Sequence, residues 1–149
     1  DSIPTGNILL AMNKKTQIFN LLNSQKVLVL STINKKGNPE SSIVGFGQNK
    51  KLELVFGTDM TTRKAANITH NNNIAVAING IDSAIQYEGR AYLLKGEELL
   101  SFQKIFFKKV PSLKKYSLLT NQIYFKIVPG WIRFIDHTTS PGTITEIRF

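Results

Sequence analysis

The sequence predicts a mainly β fold with flanking helices, a small barrel of antiparallel strands forming one domain. Three observations predict it. Apolar, β-branched runs recur along the chain, at residues 26–33, 41–47, 52–56, 74–78, 84–94, 123–135 and 144–149. Short polar links such as Asn34-Lys35-Lys36-Gly37 separate several of them, and links of that length join antiparallel neighbours. Helical patterns are confined to three segments, which places helices outside a closed sheet.

Residues 1–12 carry Pro4, Gly6 and Asn7 and read as an arm. Residues 13–24 place Ile18, Phe19, Leu21 and Leu22 at helical spacing, which predicts an amphipathic helix. Residues 26–33 form a strand, and Gly37 suits the positive φ of the turn after it. Residues 41–47 return as the second arm of a hairpin. Gln48-Asn49-Lys50 turns into a strand ending at Phe56. A loop and a helix over 63–70 follow, stopped by Asn71-Asn72-Asn73. Residues 74–78 make a strand buried by composition. Residues 84–94 make a longer one with Gly89 as a bulge candidate. Leu99, Phe102, Phe106 and Val110 stripe a helix over 96–110, which Pro111 ends. The strand over 123–135 is expected to break at Pro129-Gly130, and 144–149 closes the chain. No repeat or second domain is visible in residues 1–149.

The chain has 149 residues, no cysteine and two histidines, His70 and His137. Disulfides, thiol catalysis and thiolate metal sites are excluded, and the histidines lack metal-ligand spacing. No apolar run approaches the ~20 residues that span a bilayer. Leu9-Leu10-Ala11-Met12 is too short for a signal-peptide core, so a cytoplasmic protein is expected, with no membrane partner. The net charge of +9 favours an anionic ligand. Lys104, Lys108, Lys109, Lys114 and Lys115 crowd one segment without interleaved stacking aromatics. A solubilising face is the simpler reading, and a nucleic-acid partner is not expected.

The most informative stretch runs from Val55 to Ile68. A strand ending in Phe56-Gly57 leads into Thr58, Asp59, Thr61 and Thr62, residue types that cap helices. Arg63 and Lys64 then fall in the first helical turn, where each cation opposes the macrodipole at a cost of roughly 0.3–1 kcal/mol. An anion bound there reverses the balance, because charged hydrogen bonds contribute about 1.5–3 kcal/mol each. The alternative is a helix start a few residues away, with both cations solvated.

Three motifs in order resemble the pyridoxamine 5′-phosphate oxidase-like flavoproteins, from about Gln25 to Phe149. The first is Phe56-Gly-Thr-Asp-Met-Thr-Thr-Arg-Lys64, followed by Asn67 and the run from Asn71 to Ile78. It is similar to the family's Thr/Ser-Arg-Lys phosphate loop, helix and Asn-Pro-x-Val-Ala strand, with Asn72-Asn73 where Asn-Pro is usual. The second, Ile85-Gln-Tyr-Glu-Gly-Arg-Ala91, is similar to Val-x-Val-x-Gly-x-Ala. The third, from Val128 to Asp136, is similar to Pro-x-x-x-Arg-x-x-Asp.

The resemblance implies an FMN-binding split β-barrel, a homodimer with the cofactor at the subunit interface, and oxidoreductase chemistry. It implies that Arg63 and Lys64 hold the FMN phosphate, helped by Thr62, Thr58 and the adjoining Gly57. It places the backbone of Ser42, Ile43, Val44 and Gly45 along the isoalloxazine, with Gly45 and Gly47 allowing close approach. Gln86 matches a flavin-bonding position, its alternative being a surface amide. Trp131 and Arg133 share a strand face that completes the site across the dimer in many members, and core or dimer packing is the simpler role for Trp131.

The chain also departs from the vitamin-making oxidases. Ser42 and Gly47 stand where those carry basic residues, and the end Thr143-Ile-Thr-Glu-Ile-Arg-Phe149 lacks their substrate-gripping Trp and Arg pair. Pyridoxamine phosphate oxidation is therefore not expected, and the substrate is unassigned. No catalytic acid or base stands in a diagnostic setting, Glu88 and Asp136 being the nearest. Alternatives are a deazaflavin or haem binder of the same fold, with His70 the haem candidate, and a basic module for nucleic acid or acidic surfaces. The last needs residues 104–115 to present one continuous basic face.

Overall fold

The computed structural model describes residues 5–149, with side chains from Asn13 onward. Helix α1 (Thr5–Ser24) starts well before Asn13, so Gly6 and Asn7 lie inside a helix. Residues 1–4 of the expected arm lie outside the described residues. Ile18 and Leu22 project from α1 into the core, with Phe19 and Leu21 packed against it.

Eight strands form one antiparallel sheet. They are β1 (Val27–Ile33), β2 (Pro39–Gly45), β3 (Gly47–Gln48), β4 (Leu54–Asp59), β5 (Asn73–Gly80), β6 (Ser83–Leu93), β7 (Gln122–Asp136) and β8 (Thr143–Arg148). Helix α2 (Arg63–His70) follows β4. Helix α3 (Gly96–Lys109) and a 3₁₀ helix (Pro111–Leu118) lie between β6 and β7.

The strand order is β2-β1-β5-β6-β7-β4-β3, with β8 added on β7. The two ends of that path, β2 and β3, are separated in the chain by Phe46 alone. The sheet must therefore curl until its ends meet, and Phe46 is fully buried at that corner. The single strand expected over 41–47 is really two, because the chain changes partner at Phe46: β2 pairs with β1 and β3 pairs with β4.

Burial alternates along the strands. Ile74, Val76 and Ile78 of β5 point into the barrel, while Ala75 and Ala77 are exposed. Both faces of this strand are apolar, and within the described chain one fills the barrel while the other is exposed. On β7, Phe134 points inward and Trp131 outward. Inside, the barrel residues Leu28, Leu30, Leu54, Phe56, Ile85, Phe125 and Ile132 form one apolar cluster with α1. Each large side chain there contributes roughly 1.5–3 kcal/mol on burial. A second cluster seats α3 through Phe102, Phe106 and Val110 on Val55 and Tyr124, as the helical stripe predicts.

Strand β7 does not break at Pro129-Gly130. Its pairing with β6 shifts register there, with Gly89 opposite Pro129 and Glu88 opposite Trp131, so Gly130 is the extra residue of a bulge. A Cβ on Gly89 would lie 2.3 Å from the Val128 carbonyl oxygen, so only glycine fits. On the other side of β7, pairing with β4 ends at Ile127 and pairing with β8 begins at Trp131. Residues 128–130 are an edge on that side, where a proline is tolerated.

Candidate functional site

The N-terminus of α2 is built as the sequence predicts. Thr62 is the N-cap, with extended backbone, and its Oγ1 accepts from Ala65 N. That hydroxyl also lies 2.9 Å from Thr58 Oγ1 and donates to the Asp59 carbonyl. Thr58 is buried, and Gly57 sits opposite Tyr124 of β7. Asp59 Oδ1 accepts from Thr61 N and Oγ1 at 2.8 and 2.6 Å, bonds that hold its carboxyl below the usual range. Arg63 and Lys64 occupy the first turn, and their backbone N–H groups have no acceptor among the described residues.

One residue that sequence reasoning missed completes this corner. Glu40 of β2 forms an ion pair with Arg63. Its other oxygen accepts from Asn67 Nδ2 at 2.7 Å, and Asn67 also donates to Thr32 Oγ1 at 3.0 Å. Asn34 Nδ2 reaches Glu40 at 3.3 Å. Glu40 is 19% exposed and Arg63 80%. The cation that lacked an anion in the sequence thus has one within the chain. Lys64, half-buried, makes no ion pair among the described residues. A guanidinium, an ammonium and two free N–H groups make a donor set suited to a phosphomonoester.

The other predicted residues gather on the outer sheet face. Register aligns Ile43, Val29, Ala77, Gln86, Arg133 and Glu146 in one row across six strands. The next row is Ser41, Ser31, Ala75, Glu88, Trp131 and Arg148. Ile43 is 72% exposed and Val29 39%. Ser42 and Val44 turn the other way, opposite Leu30 and Leu28. Gly45 does allow a close approach, but by the chain itself: a Cβ there would lie 2.6 Å from Leu113 of the 3₁₀ helix. Arg133 is bound to Glu146 through Nε at 2.9 Å, and Trp131 Nε1 reaches the same carboxylate at 3.4 Å. Arg133 accordingly holds Glu146 below the usual carboxylate range.

A cleft of about 760 Å³ opens where this face meets the α2 end of the barrel. Ile33, Pro39, Ala75, Glu88, Arg90 and Trp131 line it. Thr32, which bonds Asn67 of α2, and Pro39, next to Glu40 in the chain, also line it, but no residue of α2 does. Of the predicted site residues, Trp131 alone lines the cleft. Ile43, Gln86 and Arg133 lie on the same sheet face beyond it, and Arg63 and Lys64 lie at the α2 corner.

Glu88 faces the cleft, whereas Asp136 accepts from Thr138 N and Oγ1 in a turn, which lowers its pKa. His70 ends α2 and lines a second groove of about 610 Å³ with Lys35, Met60 and Leu93. His137 is exposed after β7. Within the lysine cluster, Lys104, Lys108, Lys114 and Lys115 are exposed, but Lys109 turns inward. Its Nζ donates to the Leu22 carbonyl at 2.9 Å and to Gln48 Oε1, and lies 3.5 Å from the Phe46 ring centroid. Burial pushes it down to about 7. The basic face is therefore interrupted. No group of His, Asp and Glu able to hold a metal exists among the described residues, and no described helix is long and apolar enough to cross a membrane.

Comparison with known proteins places this geometry. A heme binding protein from Mycobacterium smegmatis superposes with a TM-score of 0.77 at 16% identity, over 99% of this chain and 60% of that one. The chain thus spans about three-fifths of that relative. General Stress Protein 26 from Bacillus anthracis matches with a TM-score of 0.72 at 25% identity, over 91% and 98% of the two chains. The heme storage protein HutZ from Vibrio cholerae matches at 0.63 and 16%, over 76% and 88%. No curated protein matches in sequence. The sequence model for pyridoxamine 5′-phosphate oxidase covers residues 15–136, from α1 through β7, and so takes in the α2 corner and the outer face together. By that match, and by the split barrel it shares with these structures, the chain belongs to the pyridoxamine 5′-phosphate oxidase family.

Proposed function

We propose that the protein binds FMN at the interface of a homodimer and acts as an oxidoreductase on a substrate other than pyridoxamine phosphate. The observation that carries this reading is the α2 corner: Arg63, Lys64 and two free N–H groups beside a cleft of ligand size. A stand-in anion, the Glu40 carboxylate, already sits on Arg63, which speaks for the anion preference of that corner.

Arg63, Lys64, Thr58 and Thr62 would hold the phosphate. The outer face, with the backbone from Ser42 to Gly45 and the side chains of Gln86, Trp131 and Arg133, would lie along the ring. Bound there, FMN supplies the redox chemistry, and the chain supplies orientation and shelter from water. The exposed row Ile43, Val29 and Ala77 supports a dimer, because a second copy would cover it.

The test is a titration of ligand-free protein with FMN and FAD, after the visible spectrum of the purified protein and the identity of any chromophore released by heat. FMN should bind and FAD should bind at least about tenfold more weakly, because a corner built for a terminal phosphate leaves little room for an adenylate. Equal affinities would remove this site.

Haem is the second reading. It is favoured by the names of two of the similar structures and by His70 in its apolar groove. A Soret band that persists on purification and vanishes in His70→Ala would decide for it.

A further inference from the structure

The phosphate end of the proposed site is contested by the chain's own carboxylate. We infer that Glu40 competes with the cofactor phosphate for Arg63 and so lowers affinity for the phosphorylated flavin relative to its phosphate-free form. This rests on the FMN reading above.

Glu40 is well placed for the role. It stands on the inward face of β2, opposite Thr32, and is 19% exposed. Three donors from two elements hold it: Arg63 and Asn67 from α2, and Asn34 from the β1–β2 turn. Asn67 is itself buried and tied to Thr32, so the carboxylate is fixed and not merely adjacent. A phosphate that engages the Arg63 guanidinium must either take it from Glu40 or lie against a carboxylate in a half-dry corner. Both lower affinity for an anion while leaving a neutral ligand untouched.

Asp59, the other carboxylate near the helix start, does not share the role. Its Oδ1 is committed to Thr61, and it pairs with neither Arg63 nor Lys64. Lys64, the free N–H groups of the first turn and the uncommitted Nε and Nη1 of Arg63 remain to receive the phosphate, and Nη2 joins them only when Glu40 yields it.

Glu40→Gln tests this. The amide keeps an acceptor for Asn67 and removes the charge. The 149-residue chain is titrated with FMN, with riboflavin, which lacks the phosphate, and with inorganic phosphate followed by thermal shift. FMN should bind at least about tenfold more tightly to the variant, riboflavin should be unchanged, and phosphate should stabilise the variant more than the wild type. Parallel changes for FMN and riboflavin, or weaker FMN binding, would overturn the inference, the latter making Glu40 a positioning residue for Arg63. If neither protein binds a flavin, the FMN reading fails and the phosphate titration still decides the role of Glu40: equal stabilisation rejects it. Should the glutamine variant not fold, Glu40→Ser, whose short side chain also frees Arg63, goes through the same titrations.

Discussion

The α2 corner and the outer sheet face carry the candidate site between them, and they are satisfied in opposite ways. At the corner most polar groups already have partners within the chain: Thr62 caps the helix, Asp59 holds Thr61, and Glu40 holds Arg63 and Asn67. The outer face has the reverse character. Ile43, Val29, Ala75 and Ala77 are apolar, exposed and uncovered by any element of the described chain. A ligand must therefore compete at the first region, whereas a partner need only cover the second. Anion affinity at the corner is set by differences between charged alternatives. Affinity at the face is set by area removed from water.

Breaking the face should have the largest effect. Ile43→Asp puts a charge at the most exposed apolar position of the row, its β2 end, and any dimer through that face should weaken by about a hundredfold or more. Sedimentation at several concentrations, with and without FMN, checks it, and a dimer indifferent to this substitution uses another surface. The corner comes next. Arg63→Ala should weaken FMN by about 1.5–3 kcal/mol, roughly ten- to a hundredfold. That change also leaves the Glu40 carboxylate with only the amides of Asn67 and Asn34 among the described residues. If FMN affinity survives that change and is lost in Lys104→Ala, the corner is not the phosphate site.

The third effect is on stability and not on binding: Lys109 lies in neither region and serves as a control on both. Its folded pKa of about 7 lies below the ordinary 10.5. Between those values the unfolded chain holds this proton and the folded chain does not. Stability from this group should therefore rise as pH climbs from 7 to 10.5, and stay flat below 7. Urea midpoints at pH 7.5 and 9.5 should show the wild type gaining on Lys109→Met, with FMN affinity unaffected.

The legible parts of the molecule were those with local signals. The Thr62 cap and the α3 stripe follow from periodicity and residue chemistry over a few positions, and Gly89 marks the level of the bulge although Gly130 is its extra residue. What stayed hidden depends on partners distant in sequence. The change of partner at Phe46 uses one residue and no turn chemistry, so 41–47 read as a single strand. Gly6 and Asn7 read as breakers, yet α1 runs through them. Glu40 had no signal: its partners Arg63 and Asn67 reach it only once α2 folds back on β1 and β2. The family resemblance points to the corner's cations, but it carries no sign of the carboxylate that holds one of them.

Strand β8 has one hydrogen-bonded neighbour, β7, and none of its residues is fully buried. Few contacts must be lost for it to open, so its amides should exchange with solvent well before those of β6, which is paired on both sides. Glu146 travels with it. Each opening of β8 therefore releases Arg133 and Trp131 from their shared carboxylate while the barrel stays closed. Trp131, one wall residue of the cleft, is thus tied to the part of the sheet that costs least to detach. A second subunit seated on the outer face should show itself first as slowed hydrogen exchange in residues 143–148.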